Sequence, residues 1–179
     1  MPVFDDRAII EFLRRSYFAV DGLWFLGVES EFSSEDALRI DEKVWDVLPK
    51  IQARKAREIL KIDGGSLSDL ALALWLRFAA EGCVHRVTKR TSHELRIEIS
   101  ECPWYALLKK SGRQDIGPEI CERICTRDYA GWAAQFSGDI EFSIEQKISE
   151  GAPACEFLFT RPFSEEKASL PDAERKAAG

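Results

Sequence analysis

Four thiols and one carboxylate are the residues of this chain best suited to do chemistry. Cys102, Cys121, Cys125 and Cys155 follow one another as C-x18-C-x3-C-x29-C, and two of them lie in GPEICERICTRDYAGWAAQF, residues 117–136. Pro118 suits the first position of a helix, where its missing N–H is not needed, and Glu119 suits the positive end of the helix dipole. On that helix Cys121, Cys125, Asp128 and Trp132 fall at i, i+4, i+7 and i+11, one face. A carboxylate bordering an apolar stripe needs a partner. Three chemistries fit. In the first, Cys121, near the helix start, ionises readily and attacks a carbonyl or amidine carbon. Asp128, Glu101, His85 or His93 then orient or deprotonate it, and peptide N–H groups receive the oxyanion. In the second, Cys102, Cys121, Cys125 and Cys155 ligate zinc or iron, with Cys-x3-Cys as the gripping pair, although no Cys-x2-Cys knuckle is present. In the third, the cysteines are small apolar residues of the core.

The elements that must position these residues follow from periodicity. Residues 4 to about 28 carry Ile9, Phe12, Leu13, Tyr17 and Val20 at helical spacing, with Gly22 as a point that loosens or ends the helix. Ser33 and Asp36 form a capping pair for a second helix that carries Ala37, Ile40, Val44, Leu48 and Ile51 inward. Pro49 should kink or split it near Trp45. Gly64-Gly65 ends that segment, and Ser66 or Ser68 caps a third helix through Leu70, Leu74, Phe78 and Ala79. The period then changes to two. Leu95, Ile97 and Ile99 alternate with charged and polar residues, and Val84–Arg90 is the hairpin partner. Cys102-Pro103 ends the strand, a short helix covers 103–111, and the Cys121 helix follows. Ile140 to Ile148 alternate as a further strand, and Cys155, Phe157 and Phe159 share one face of the last. The expected fold is therefore α+β: N-terminal helices followed by a small antiparallel sheet of about four strands, packed against the Cys-bearing helix. Residues 1–160 form a single domain, and the polar stretch 161–179 a flexible tail.

The chain has 179 residues and a formal charge of 25 − 31 = −6, so neither nucleic acid nor an anionic membrane is an expected partner. Its apolar windows, Leu23–Val28 and Leu70–Leu76, are too short to span a bilayer. Met1-Pro2 runs directly into Asp5 and Asp6 without a basic region before an apolar run, and five cysteines is an odd number, so a cytoplasmic chain with reduced thiols is expected. His85 alternates with Cys83 and Val87 and reads as a core histidine; His93 reads as an exposed turn residue. Asp21, Trp24, Glu29, Asp41 and Trp45 form a second polar and aromatic set. As a functional set they would line a pocket for a cationic or ring-bearing ligand. As a structural set, Trp24 and Trp45 are core, Asp21 caps the helix after Gly22, and Glu29 and Asp41 are solvated, which is the reading preferred here.

The block DGLWFLGVESEFSSEDALRIDEKVWDVLPKIQARKAREIL, Asp21–Leu60, resembles the N-terminal signature of a prokaryotic family similar to the L-2-amino-thiazoline-4-carboxylic acid hydrolases. The resemblance covers roughly residues 5–160. Its later pattern is a cysteine ending a strand, a second opening a helix and a third in the final strand, here Cys102, Cys121 and Cys155. Where that family often carries a Cys-Pro-Pro-Asp turn, this chain has ISEGAP; either Cys125 substitutes or the site differs. The resemblance implies a small-molecule ligand and opening of a C–N bond in a small cyclic amidine-like or amide-like ring. In that reading Cys121 is the nucleophile or a metal ligand, Asp128 orients it, and Cys102 and Cys155 complete the site. The alternative is a non-catalytic domain that binds a metal or small ligand as a sensor or carrier. The apolar Trp24–Val28 stretch, under either, is a candidate homo-oligomer contact.

Overall fold

The computed structural model describes residues 3–162, so all but the first two residues of the expected tail at 161–179 lie outside it. Helix α1 (Asp6–Glu31) opens on Asp5, whose carboxylate accepts from the N–H of Ala8 at 2.7 Å. It runs straight through Gly22. Ser33 accepts from the N–H of Asp36 to start α2 (Ser34–Trp45), and Pro49 divides it from α3 (Leu48–Leu60), as its missing N–H requires. Ser66 and Asp69 cap each other's backbone at the start of α4 (Leu67–Glu81). Just before this cap the chain passes so close to Phe136 that a Cβ on Gly65 would lie 2.2 Å from that residue's carbonyl oxygen. Gly82, at φ 82°, ends α4 and turns the chain into the sheet.

Strands β1 (Val84–Arg90) and β2 (Glu94–Glu101) form the expected hairpin. After α5 (Pro103–Lys110), the segment expected as one helix has three parts: α6 (Gly117–Ile120), a π-helical turn over Cys121–Cys125, and α7 (Thr126–Ala133). Strand β3 (Glu141–Gln146) stops before Ile148, which lies in a 3-10 turn instead of extending the strand, and β4 (Cys155–Thr160) completes the sheet. The order is β1-β2-β4-β3, antiparallel throughout. Register places Leu95 opposite Phe159, Ile97 opposite Phe157 and Ile99 opposite Cys155, all on one face. Leu70, Leu74 and Phe78 of α4 and Trp132 of α7 are sealed against that face. Each such side chain contributes about 1.5–3 kcal/mol by leaving water. The opposite face carries cross-strand ion pairs, Arg86–Glu98 and Arg96–Glu156. The architecture is therefore α+β, with the sheet covered on one face by helices that include the Cys-bearing one.

Two further expectations are corrected. The second helix's inward face is rotated: Ala37, Leu38 and Trp45 are buried, while Val44 and Ile51 are exposed. Trp24 is not core; it is 65% exposed, and α1 contains no buried residue at all.

Candidate active site

The thiol region is built where the covering helix changes pitch. In the π turn the N–H of Thr126 donates to the carbonyl of Cys121, five residues back, in place of the α-helical four. Cys121 and Cys125 stand at the two ends of this turn, and a hydrogen bond from the Cys125 thiol favours the Cys121 thiolate. The hydroxyl of Ser149, from the 3-10 turn after β3, lies 3.3 Å from Cys121 Sγ. Lys147 pairs with Glu122 at 3.0 Å and Glu150 at 3.1 Å, and its charge favours the Cys121 thiolate while that of Glu150 opposes it. The Cys125 thiol, then Ser149 and the Lys147 charge, lower the Cys121 thiol to about 7 against its partial burial.

The other thiols go the opposite way. Cys125 is pushed well above the ordinary range by giving its hydrogen bond to Cys121 and by burial. Burial also raises Cys83 and Cys102, and pushes Cys155 up to about 11 although the N–H of Ile148 reaches its sulfur at 3.3 Å. The Cys121 charge also raises Cys102 and Cys155, and Cys102 acts on Cys155. Cys121 and Cys125 interact directly, whereas Cys102 and Cys155 are linked to Cys121 through charge alone. Among the described residues, no three His, Cys, Asp or Glu side chains are arranged to hold a metal ion.

Asp128 has a different partner from the one its spacing suggested. Both of its oxygens are taken by Arg77, at 2.8 and 2.7 Å, and Arg77 Nε donates to Glu81 at 3.0 Å. All three side chains are buried. Desolvation raises the Asp128 carboxyl against the pull of Arg77. The guanidinium lies under Tyr129 at 4.9 Å, Trp132 at 5.5 Å and Trp45 at 5.9 Å. Sequence reasoning missed Arg77 and Glu81. Their signal was two opposite charges four residues apart on an otherwise apolar helix. Ser149 and Lys147 carried no comparable signal.

His85 rests against Phe78, ring centroids 4.8 Å apart, consistent with a core histidine. His93 is half-buried in the β1–β2 turn, not exposed. Glu101 is exposed at the end of β2. The second polar set divides. Glu29 is not simply solvated but pairs with Arg113, which holds its carboxyl near 2, and Trp24 faces out. Asp21, Asp41 and Trp45 come together: burial pushes Asp21 up to about 6 and Asp41 up to about 7, the latter also through repulsion by Asp21 while Trp45 hydrogen-bonds to it.

The fold and this interior belong to a recognisable class, that of α+β domains in which helices cover one face of a four-stranded antiparallel sheet. Within that class, residues 14–159 match the L-2-amino-thiazoline-4-carboxylic acid hydrolase family, and the chain belongs to it. No curated protein matches its sequence. Solved structures that share the fold include two of different function. One is the phenol-responsive sensory domain of the transcription activator PoxR with phenol, at a TM-score of 0.53 and 10% identity over 80% of this chain and 73% of that one. The other is a trafficking protein particle complex subunit 3 from Naegleria fowleri covalently bound to palmitic acid, at 0.54 and 13% over 88% of this chain and 98% of that one. Among the described residues no helix is long and apolar enough to cross a membrane.

Proposed function

We propose that the chain is a thiol-dependent hydrolase of a C–N bond in a small cyclic amidine-like or amide-like molecule, with Cys121 as nucleophile. The observation that carries this is the asymmetry of the Cys121–Cys125 pair. One sulfur is favoured as thiolate by a thiol, a hydroxyl and an ammonium, while its neighbour keeps its proton. Cys121 Sγ attacks the carbon of the C–N bond, forming a C–S bond. The C–N bond then breaks, and the leaving nitrogen takes the proton of Cys125. Water next attacks the thioester-like carbon and returns a proton to Cys125, and the C–S bond breaks to restore the Cys121 thiolate. Ser149 lies where its O–H can bond the charge that develops on sulfur. Asp128 serves by locking Arg77 and hence the helix that carries both thiols, so it is a positioning residue.

The test is turnover of 2-amino-thiazoline-4-carboxylate with thiol labelling on protein purified without oxygen. One fast-reacting thiol, lost together with turnover in Cys121→Ser, supports the reading. Stoichiometric zinc or iron with unreactive thiols would sink it in favour of a metal centre at Cys102, Cys121, Cys125 and Cys155. A non-catalytic ligand-binding domain is the second reading, favoured by the fold shared with a phenol-responsive sensory domain. It predicts binding without turnover.

The chain is further proposed to self-associate through α1. Phe12, Leu13, Val20, Leu23 and Trp24 are 60–70% exposed on that one helix. With the two aromatics at roughly 150–250 Å² each when fully exposed, the five together reach the scale of the largest apolar patch on a typical monomer, roughly 300–600 Å². Sedimentation should give a dimer that Leu23→Glu converts to monomer; a monomeric parent chain would refute the contact.

A further inference from the structure

Cys121 and Cys125 begin and end a single helical turn, and that turn is fastened along its whole length. The N–H of Thr126, the residue after Cys125, bonds the Cys121 carbonyl, and the Thr126 hydroxyl gives a second bond to the same oxygen at 3.3 Å. Between the cysteines, Ile124 is buried in the interior, and Arg123 reaches α2, bonding Glu42 at 2.8 Å and Glu35 at 2.7 Å. Both thiols are free. Cys125 packs against the hydrophobic core, whereas Cys121 is half-buried beside Ser149.

The 3-10 turn after β3 closes the other flank. Gly117, where α6 opens, comes so near that a Cβ on it would lie 3.1 Å from the Ser149 Cβ, so this turn is pressed against the start of the same helix. Its Ser149 hydroxyl lies 3.3 Å from Cys121 Sγ, and its Ile148 N–H bonds Cys155 Sγ at 3.3 Å. The Cys155 sulfur is thereby committed to the turn, which leaves Cys125 as the thiol one helical turn from Cys121. Residues four apart on a helix hold their Cβ atoms roughly 5–6 Å apart, and a disulfide needs about 3.5–4.5 Å. A bridge between the pair therefore needs a shift of about 1 Å. The strain such a bridge retains makes it one of the readily reduced kind.

We propose that Cys121 is a modification site for hydrogen peroxide with Cys125 as its resolving thiol, and that the pair closes into a reversible disulfide that switches the nucleophile off. The switching rests on the thiol-hydrolase reading; formation of the bridge does not. The Cys121 thiolate attacks one peroxide oxygen, an S–O bond forms, the O–O bond breaks, and the departing hydroxide takes a proton from solvent. Cys121 is then a sulfenic acid. The Cys125 sulfur attacks the Cys121 sulfur, the S–S bond forms, the S–O bond breaks, and the departing hydroxide leaves as water with the Cys125 proton. Two thiols give up two electrons in all, and one peroxide takes them. Cys121, the thiol lowered to about 7, reacts first, and its neighbour keeps its proton for the second step. A sulfenic acid with no resolving thiol goes on to sulfinic and sulfonic acids, which dithiols do not reverse.

The test is mass spectrometry of the full chain treated with equimolar hydrogen peroxide and then with dithiothreitol. Tryptic cleavage after Arg123 separates the two cysteines, so a bridge between them joins two peptides. The parent chain should lose two hydrogens, show that joined pair, and regain both thiols with dithiothreitol. Cys125→Ser should instead gain oxygen at Cys121, trapped by dimedone as the sulfenic acid and driven by excess peroxide to acids that dithiothreitol does not reverse. Cys121→Ser should oxidise at least about tenfold more slowly than the parent. A bridge from Cys121 to Cys102 or Cys155, a bridge between two copies, or oxygen gained by the parent chain without a bridge would overturn the pairing. Turnover of 2-amino-thiazoline-4-carboxylate separates the two claims. A bridged chain that still turns over overturns the switch and the nucleophile together, leaving only the modification site. Turnover lost in Cys121→Ser, with no bridge in the parent chain, sinks only the pair.

Discussion

Two polar regions lie side by side in this interior, and they are held in different ways. Around Arg77, full charges are buried and locked bidentately to Asp128, so the region joins α4 to α7 at the cost of removing three ions from water. Around Cys121, the groups are thiols and a hydroxyl at ordinary contact distances, with the one full positive charge, Lys147, largely neutralised by glutamates nearer the surface. Burial of a thiol costs little, so this second region can keep an ionisable group without its being essential to the fold. The contrast is one of energetics: the ion pairs fix where the helix sits, and the thiols on it are held by weaker contacts.

The largest effect should come from removing the central cation. Arg77→Met leaves two buried carboxylates unpaired and should cost about 3–5 kcal/mol in urea denaturation. A loss below about 1 kcal/mol would erase the distinction between the two regions. Cys121→Ser tests the other side of the contrast. It should lower turnover by at least about a hundredfold while changing stability by less than about 1 kcal/mol, since one sulfur is replaced by an oxygen of similar shape.

A smaller effect is expected at Asp41, an acid that has neither an arginine nor full exposure. Its carboxyl is raised to about 7, so the stability it contributes is present below about 4, its ordinary value, and is lost as pH rises through about 7. Asp41→Asn should match the parent chain at pH 4 and be more stable by about 1–2 kcal/mol at pH 8, allowing for solvent screening. A melting-temperature series across that range decides it, and parallel curves would contradict the shift. The smallest expected change lies within the thiol pair. Alkylation of Cys121 by iodoacetamide should rise through pH about 7, and Cys125→Ala should move that midpoint upward by removing the largest stabilising hydrogen bond. An unmoved midpoint would assign the lowered value to Ser149 and Lys147 alone.

Much of the fold follows from local chemistry. Alternation at Leu95–Ile99 and at Cys155–Phe159 marks the two central strands, because a strand's side chains change face at every residue. Pro49 splits α2 from α3, and Ser33 and Ser66 open their helices, since each acts on backbone groups only a few residues away. The grouping of Cys121 and Cys125 was legible for the same reason. Their pitch was not, because a π turn depends on what the helix packs against, here Ser149 and the turn after β3.

What the sequence by itself determined was the set of elements, the one covered sheet face and the helical segment that Cys121 and Cys125 share. These depend on period, caps and breakers, which are local. Tertiary structure alone decided the partners. Asp128 lies 51 residues from Arg77, and Ser149 lies 28 from Cys121. Periodicity could show that Asp128 borders the core and needs a cation, but not which one, because that choice is made when α7 docks on α4. The same holds for α1, whose apolar spacing fits a helix and whose exposure follows only from where the other helices find their own cover.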